Sequence, residues 1–222
     1  LIAQPMVELK VRVEARPALA GRPTYDGLTL WEKAATYLQA GRDAAAVHDG
    51  EWRNDGASSG YYVFPADAIF YAYAGQEMPL NQMNGMGLLL LGLHDATGEA
   101  GFGDRAARLA NHLLANLEAT AAGTYRWNYW GGAYAAPGED ISHAAINVLL
   151  AVRAAQSGLV FGDAHLARFA RTFVDQIVVD TATTYDCVGG TGATNGSSYR
   201  PQMGRWAVLG GVDPSIHAYV RE

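Results

Sequence analysis

From Leu28 onward the chain repeats one pattern: apolar residues every three or four positions, then a glycine that closes the segment. Leu30, Trp31, Ala34, Ala35 and Leu38 share a face, which predicts a helix over Leu28 to Ala40 ended by Gly41. The same spacing predicts helices over Pro65 to Ala74, Gln82 to Ala96, Asp104 to Leu117, Ile141 to Gln156 and Asp163 to Val178. Before them the period changes. Val7, Leu9, Val11 and Val13 alternate with Glu8, Lys10, Arg12 and Glu14, the two-residue period of a strand over Pro5 to Arg16. Pro17 to Asp26 reads as a linker, with Gly21 and Pro23 as breakers. Asp49 to Gly60 reads as a polar loop and Asp180 to Arg205 as a long glycine-rich one. Trp206 to Glu222 reads as partly helical, interrupted by Pro214. The chain therefore divides into an N-terminal strand and linker, 1–26, and a helical domain, 27–222.

Two of the predicted helical pairs are copies of each other. Phe102-Gly103-Asp104 is followed by Ala107-Arg108-Leu109-Ala110, and Phe161-Gly162-Asp163 by Ala167-Arg168-Phe169-Ala170. In both, an apolar helix precedes the turn, and Asp104 and Asp163 suit the capping position of the second helix. A helical hairpin of this size cannot bury its apolar face alone. Stacked copies make a solenoid or close into a ring. The expected fold class is all-α: an (α/α) toroid, or an incomplete one, of helical hairpins with a short N-terminal β segment. The copies lie roughly 60 residues apart, longer than common helical repeats, and the extra length is in loops, where sites are usually built.

Composition narrows the function. Of 222 residues, 50% are hydrophobic and 17% charged, enough apolar material for a substantial core. The formal net charge is −6, and Lys10 and Lys33 are the only lysines, so the clustered cations that bind nucleic acid are missing. No apolar run approaches the about 18 residues of a membrane span. Cys187 stands alone, and no His-x-x-x-His or Cys-x-x-Cys spacing marks a metal site. Neither a cofactor nor a metal is expected. The expected partner is a polysaccharide or oligosaccharide, with no nucleic acid and no membrane.

The densest chemistry runs from Tyr125 to His143. Trp127, Tyr129, Trp130 and Tyr134 offer ring faces on which sugar C–H groups stack. Arg126 can pair with a carboxylate in bidentate fashion, and Asn128 can hydrogen-bond beside it. His143 sits in the first turn of a predicted helix, where its imidazole can exchange protons near neutral pH. Each has a plainer reading. Glu139, Asp140 and Ser142 also make a good helix start, and Trp127 and Trp130 can simply plug a ring of helices. His94 reads as a satisfied core or rim residue, and His48, His112 and His165 as surface positions. Two further aromatic–arginine clusters, Trp52-Arg53 through Tyr62 and Tyr199-Arg200 through Trp206, suggest several sugar subsites along one groove.

On Asn81-Gln82 to Gly87-Leu88, Ala96-Thr97-Gly98, Tyr125 to Tyr129, Glu139 to His143 and Val160 to Asp163, the chain resembles the superfamily of α/α-toroid polysaccharide lyases and uronate epimerases. The resemblance covers Asn81 to Ile177. It implies β-elimination from a uronic-acid polymer, or C5 epimerisation. Arg126 and Asn128 would neutralise the uronate carboxylate, His143 would act as base, and Tyr129 or Tyr199 as acid. Trp127, Trp130, Tyr134, Glu139, Tyr199, Arg200, Trp52 and Arg53 would bind the chain. It also implies a secreted or periplasmic enzyme. Hydrolases use the same scaffold. The alternative is glycoside hydrolysis by two carboxyls, Glu139 or Asp140 with Asp55. A third reading is a non-catalytic helical repeat that binds glycan.

Overall fold

A computed structural model describes residues 3–67, 71–131, 138–180, 183–194 and 200–220. Its frame is a series of helical hairpins. Helix α1 is Ala3–Glu14, α2 Leu30–Val47, α3 Leu80–Thr97, α4 Ala100–Ala115, α5 Ile141–Gln156 and α6 Asp163–Arg171. α6 continues as a π-helical turn, Thr172–Ile177, and the chain ends in a 3-10 segment, Arg200–Leu209, and a short helix α7, Ile216–Val220. Two small antiparallel hairpins interrupt the helices: β1 Trp52–Asp55 with β2 Ser59–Tyr62, and β3 Glu118–Ala119 with β4 Tyr125–Arg126.

The helices sort into two layers. α3 is buried nearly all round, as an inner helix must be, whereas α4 and α6 bury one stripe, including Leu109 and Leu113 on one and Leu166 and Phe169 on the other. Asn84 meets Asn147, and Gly87 meets Leu150. Both pairs are 63 residues apart (147 − 84 and 150 − 87), so α3 and α5 run parallel. α1 joins the same inner layer. Its Val7 packs against Gly41 and Gly92, and its Glu8 pairs at 3.5 Å with Arg153 of α5, which also reaches Asp95 of α3 at 3.0 Å. Three parallel inner helices, each followed by an outer one, make the curved double layer of an α/α toroid.

Several sequence expectations need correction. Pro5 to Arg16 is not a strand: Ala3–Glu14 is helical. The same residues satisfy both periods, because Lys10–Glu14 and Glu8–Arg12 are also charge pairs four apart on a helix. Burial of Val7, Lys10 and Val13 at three-residue spacing against the other helices decides for the helix. Gly41 does not end α2. The helix runs through it, because a β-carbon there would collide with Val7. Within the described residues, Pro65 to Ala74 is turn with a single 3-10 turn, Tyr71–Tyr73, and Asp49 to Gly60 holds a hairpin where a loop was expected. Asp104 lies inside α4, which starts at Ala100 after Glu99, and Asp163 is the first residue of α6, with Gly162 at the cap. His112 is buried, not superficial, and its Nε2 pairs with Glu77 at 2.8 Å.

Candidate functional site

β4 aims the residues after it alternately in and out. Tyr125 points in and packs on Phe169 at 5.1 Å between centroids, and Trp127 meets the same ring edge-on at 5.6 Å. The π-helical turn pins this segment: Thr172 Oγ1 accepts from the Tyr125 N–H at 2.7 Å. Arg126 points out, where its guanidinium donates to both oxygens of Glu118 at 2.7 and 2.5 Å. Asn128 is exposed, and its Oδ1 accepts from Gly138 N at 3.3 Å. The Tyr129 carbonyl accepts from Leu80 N at 3.2 Å, at the start of α3. The Tyr129 ring lies 5.2 Å from His143, and Trp130 is buried against Phe64 and Tyr73 with its indole N–H on the Glu77 carbonyl.

Glu139 and Asp140 enter α5 as an extended segment held on both sides. Glu139 N donates to Trp127 O at 3.2 Å, Val188 N donates to Glu139 O at 2.9 Å, and Ile141 N donates to Asp186 O at 2.9 Å. An extended chain sends consecutive side chains to opposite sides. Glu139 goes inward. Its Oε2 accepts from the Trp127 indole and from Asn147 Nδ2 at 2.5 Å, and Asn147 in turn accepts from Asn84 at 2.7 Å. Its Oε1 is buried and takes no hydrogen bond. Burial drives the Glu139 carboxyl well above the usual glutamate range, the Trp127 hydrogen bond opposes this, and the Asp140 charge adds to it.

Asp140 goes the other way and caps α5. Its Oδ1 accepts from Ser142 N at 2.9 Å, Ser142 Oγ at 2.8 Å and His143 N at 3.1 Å, and Oδ2 pairs with His143 Nδ1. Burial alone would raise its pKa. The hydrogen bonds from Ser142 and His143 outweigh that and hold it below the usual aspartate range. Two adjacent carboxyls are thus pushed apart, one towards the neutral acid and one towards the anion. Beside them, burial first and the Glu139 and Asp140 charges second raise the Tyr129 phenol, and the nearby Gln82 amide opposes them. The Tyr129 phenol therefore keeps its proton at neutral pH.

Two cavities flank this segment. One of about 350 Å³ is lined by Arg126, Trp127, Asn128, Asn116 and Thr191. The other, of about 610 Å³, lies beside the starts of α1 and α3 and includes Gln82, the neighbour of Tyr129. The residues singled out in the sequence are therefore divided. Tyr129, Asp140 and His143 stand together, with Glu139 directly behind. Arg126 and Asn128 face the smaller cavity, where Arg126 is already engaged by Glu118. Trp52 and Arg53 belong to the β1–β2 hairpin. The Arg105 guanidinium lies 5.2 Å over the Trp52 ring, and Arg53 donates to the carbonyls of Gly50 and Trp52 at 2.9 and 2.7 Å. Tyr134, Tyr199 and the Arg200 side chain lie outside the described residues. The amides Gln82, Asn84 and Asn147 were not anticipated. The signal for the last two was a polar residue inside the apolar run of each repeated helix. Among the described residues no group of three or more His, Cys, Asp or Glu side chains could hold a metal ion, and no helix is long and apolar enough to cross a membrane.

No family model and no curated protein matches the chain. Among solved structures it is similar to a GH76 alpha-mannanase of Bacteroides thetaiotaomicron, with 13% sequence identity and a TM-score of 0.60. The match covers 100% of this chain and 59% of the mannanase chain. The chain has the α/α-toroid fold. At this identity the likeness is one of fold, and the parallel inner helices and outer amphipathic ones described above are its physical content. It spans about three fifths of the neighbour's length.

Proposed function

We propose that the chain is a carbohydrate-active toroid enzyme that hydrolyses glycosidic bonds, and that Glu139 and Asp140 are its carboxyl pair. One observation carries this: two consecutive carboxyls at the start of an inner helix sit in opposite surroundings, Glu139 buried, which raises its pKa, and Asp140 hydrogen-bonded by Ser142 and His143, which lowers its own. Glycoside hydrolysis needs an acid that protonates the leaving oxygen and an anion that serves the sugar from the other side. Glu139 is assigned the acid's part; its carboxyl is 0% exposed, so protonating a leaving oxygen requires the Trp127–Asn147 packing around it to open. Asp140, held ionised by the α5 start and by His143, supplies the negative charge. His143 and Tyr129 shape the mouth. The fold shared with a GH76 alpha-mannanase supports this reading over elimination, and an extracellular or periplasmic location is part of the proposal.

Elimination or epimerisation is the second reading, favoured by one contact: Tyr129 beside His143, a protonated phenol next to an Asp-oriented imidazole. Its carboxylate neutraliser would not be Arg126, which Glu118 holds. Arg205, whose Nη1 reaches Ser142 O at 3.5 Å, stands at the first turn of α5 and fits that part better.

Incubation with a panel of neutral and uronate polysaccharides separates the two. Reducing ends without the ultraviolet absorbance of an unsaturated sugar support hydrolysis. Reducing ends with that absorbance establish elimination. No product from any polymer removes the enzymatic reading.

A further inference from the structure

The cavity of about 610 Å³ opens beside the described start of α1 and the start of α3, with the second turn of α5 on its wall. Ala3 of α1, Asn81 and Gln82 of the first turn of α3, and Ile146 of α5 lie on its wall. Its size is that of a small-molecule site, a mostly apolar hollow with a few placed polar groups. Met83, Met86 and Leu89 supply the apolar surface. Methionine adapts its shape to what it contacts.

The polar groups are specific. Asn81 is only 7% exposed, and its buried Oδ1 accepts no hydrogen bond from the chain. Such an acceptor is costly unless something donates to it. Gln82 stands on the wall between the cavity and Tyr129. On the α2 side stand His48 and Glu51, paired at 2.7 Å. No lysine or arginine lines this cavity among the described residues. A carboxylate ligand would meet the Glu51 carboxylate and no guanidinium or ammonium.

We infer that this cavity is a subsite for a neutral pyranose unit of a glycan. Its hydroxyls donate to the Glu51 carboxylate and lie against the Asn81 side chain, and its C–H face lies on the methionines. The inference rests on the hydrolase reading and deepens it, because it turns the substrate from a uronate to a neutral sugar. Gln82 lies between the subsite and Tyr129, so a unit bound here leads its chain towards the Tyr129–His143–Asp140 cluster.

The test uses the Asp140→Asn chain, in which the hydrolase reading expects no turnover, titrated calorimetrically with an α-linked mannotetraose and with a galacturonate trimer. Binding of the mannotetraose, weakened about tenfold or more by Asn81→Leu and by Met86→Trp, supports the subsite. Asn81→Leu should leave the melting temperature unchanged or higher, since it removes an unpaired buried acceptor. The subsite is overturned if the mannotetraose does not bind, if both variants bind it as before, or if the galacturonate binds tighter in an Asn81-dependent manner. Reducing-end release by the native chain is scored separately. Release with binding indifferent to Asn81 and Met86 keeps the hydrolase and discards the subsite. Asn81-dependent binding with no release keeps the subsite and discards the hydrolase.

Discussion

Asn84 Nδ2 donates to Asn147 Oδ1 at 2.7 Å, and this bond ties together the inner helices α3 and α5 of the two repeated hairpins. Both amides are buried, at 1% and 0% exposure. Asn147 also donates to Glu139, so the bond continues as far as Trp127. Removing one member strands the others. Asn84→Ala should cost about 1–3 kcal/mol of unfolding free energy, the range for a buried polar group left without its partner. Chemical denaturation measures it. An Asn84→Ala chain as stable as the native one would mean that the network contributes nothing to the fold.

The Glu139 carboxyl makes stability depend on pH in a defined direction. Its pKa in the fold is raised above that of the unfolded chain, so its contribution is complete below the unfolded value and is lost as pH rises through the folded one. Glu139→Gln keeps the shape and cannot ionise. Melting temperatures of the two proteins, followed from acidic to neutral pH, should diverge, with the native chain losing more. Parallel curves would show that Glu139 does not hold its proton. The same variant should lose the catalytic acid, so activity and stability move in opposite directions at neutral pH.

Asp140 has a structural and a chemical part, and two substitutions separate them. Asn is as good a helix cap as Asp, whereas Ala is not. Asp140→Ala should therefore cost about 0.5–2 kcal/mol, and Asp140→Asn much less. Both remove the negative charge that faces His143, so both should lose turnover. Because the folded pKa is lowered, the charge stabilises the native chain above the unfolded value, and this is lost as pH falls through the folded one. An active Asp140→Asn enzyme would end its assignment as the catalytic anion.

How far the sequence speaks depends on what decides each element. α3 and α5 are legible to within two residues at either end, because long apolar runs closed by glycine leave no competing period. The Asp140 cap is legible for a local reason: its partners, Ser142 and His143, are two and three residues away. α1 is not legible, since alternation and i,i+4 charge pairs coexist and only contact with α2 and α3 settles the choice. The sequence marks candidate residues but not their grouping. Arg126 and Tyr129 are three residues apart, yet extended chain after β4 turns the first to Glu118 and the second to His143. The Glu139–Asn147–Asn84 connection joins the start of α5 to α3 across 63 residues, and the sequence marks its amides only as polar breaks in two apolar runs, not as partners.

The placement of α1 can itself be tested through Gly41, where α2 and α1 touch. A β-carbon at Gly41 collides with Val7 Cγ2 and comes within 3.5 Å of Leu89 and 3.6 Å of Leu93. The helix gains intrinsic propensity from Ala, up to about 1 kcal/mol, and overpacking costs about 1–3 kcal/mol. The collision is with the side chain of Val7, which is fully buried, so it has little room to yield. The balance favours destabilisation: Gly41→Ala should lower stability, and Val7→Ala in the same chain should recover part of the loss, because it removes the atom that is struck. A double-mutant cycle reads this coupling directly. If residues 3–14 were an exposed strand, as their alternation suggests, Gly41→Ala would be neutral or stabilising and the two substitutions would simply add.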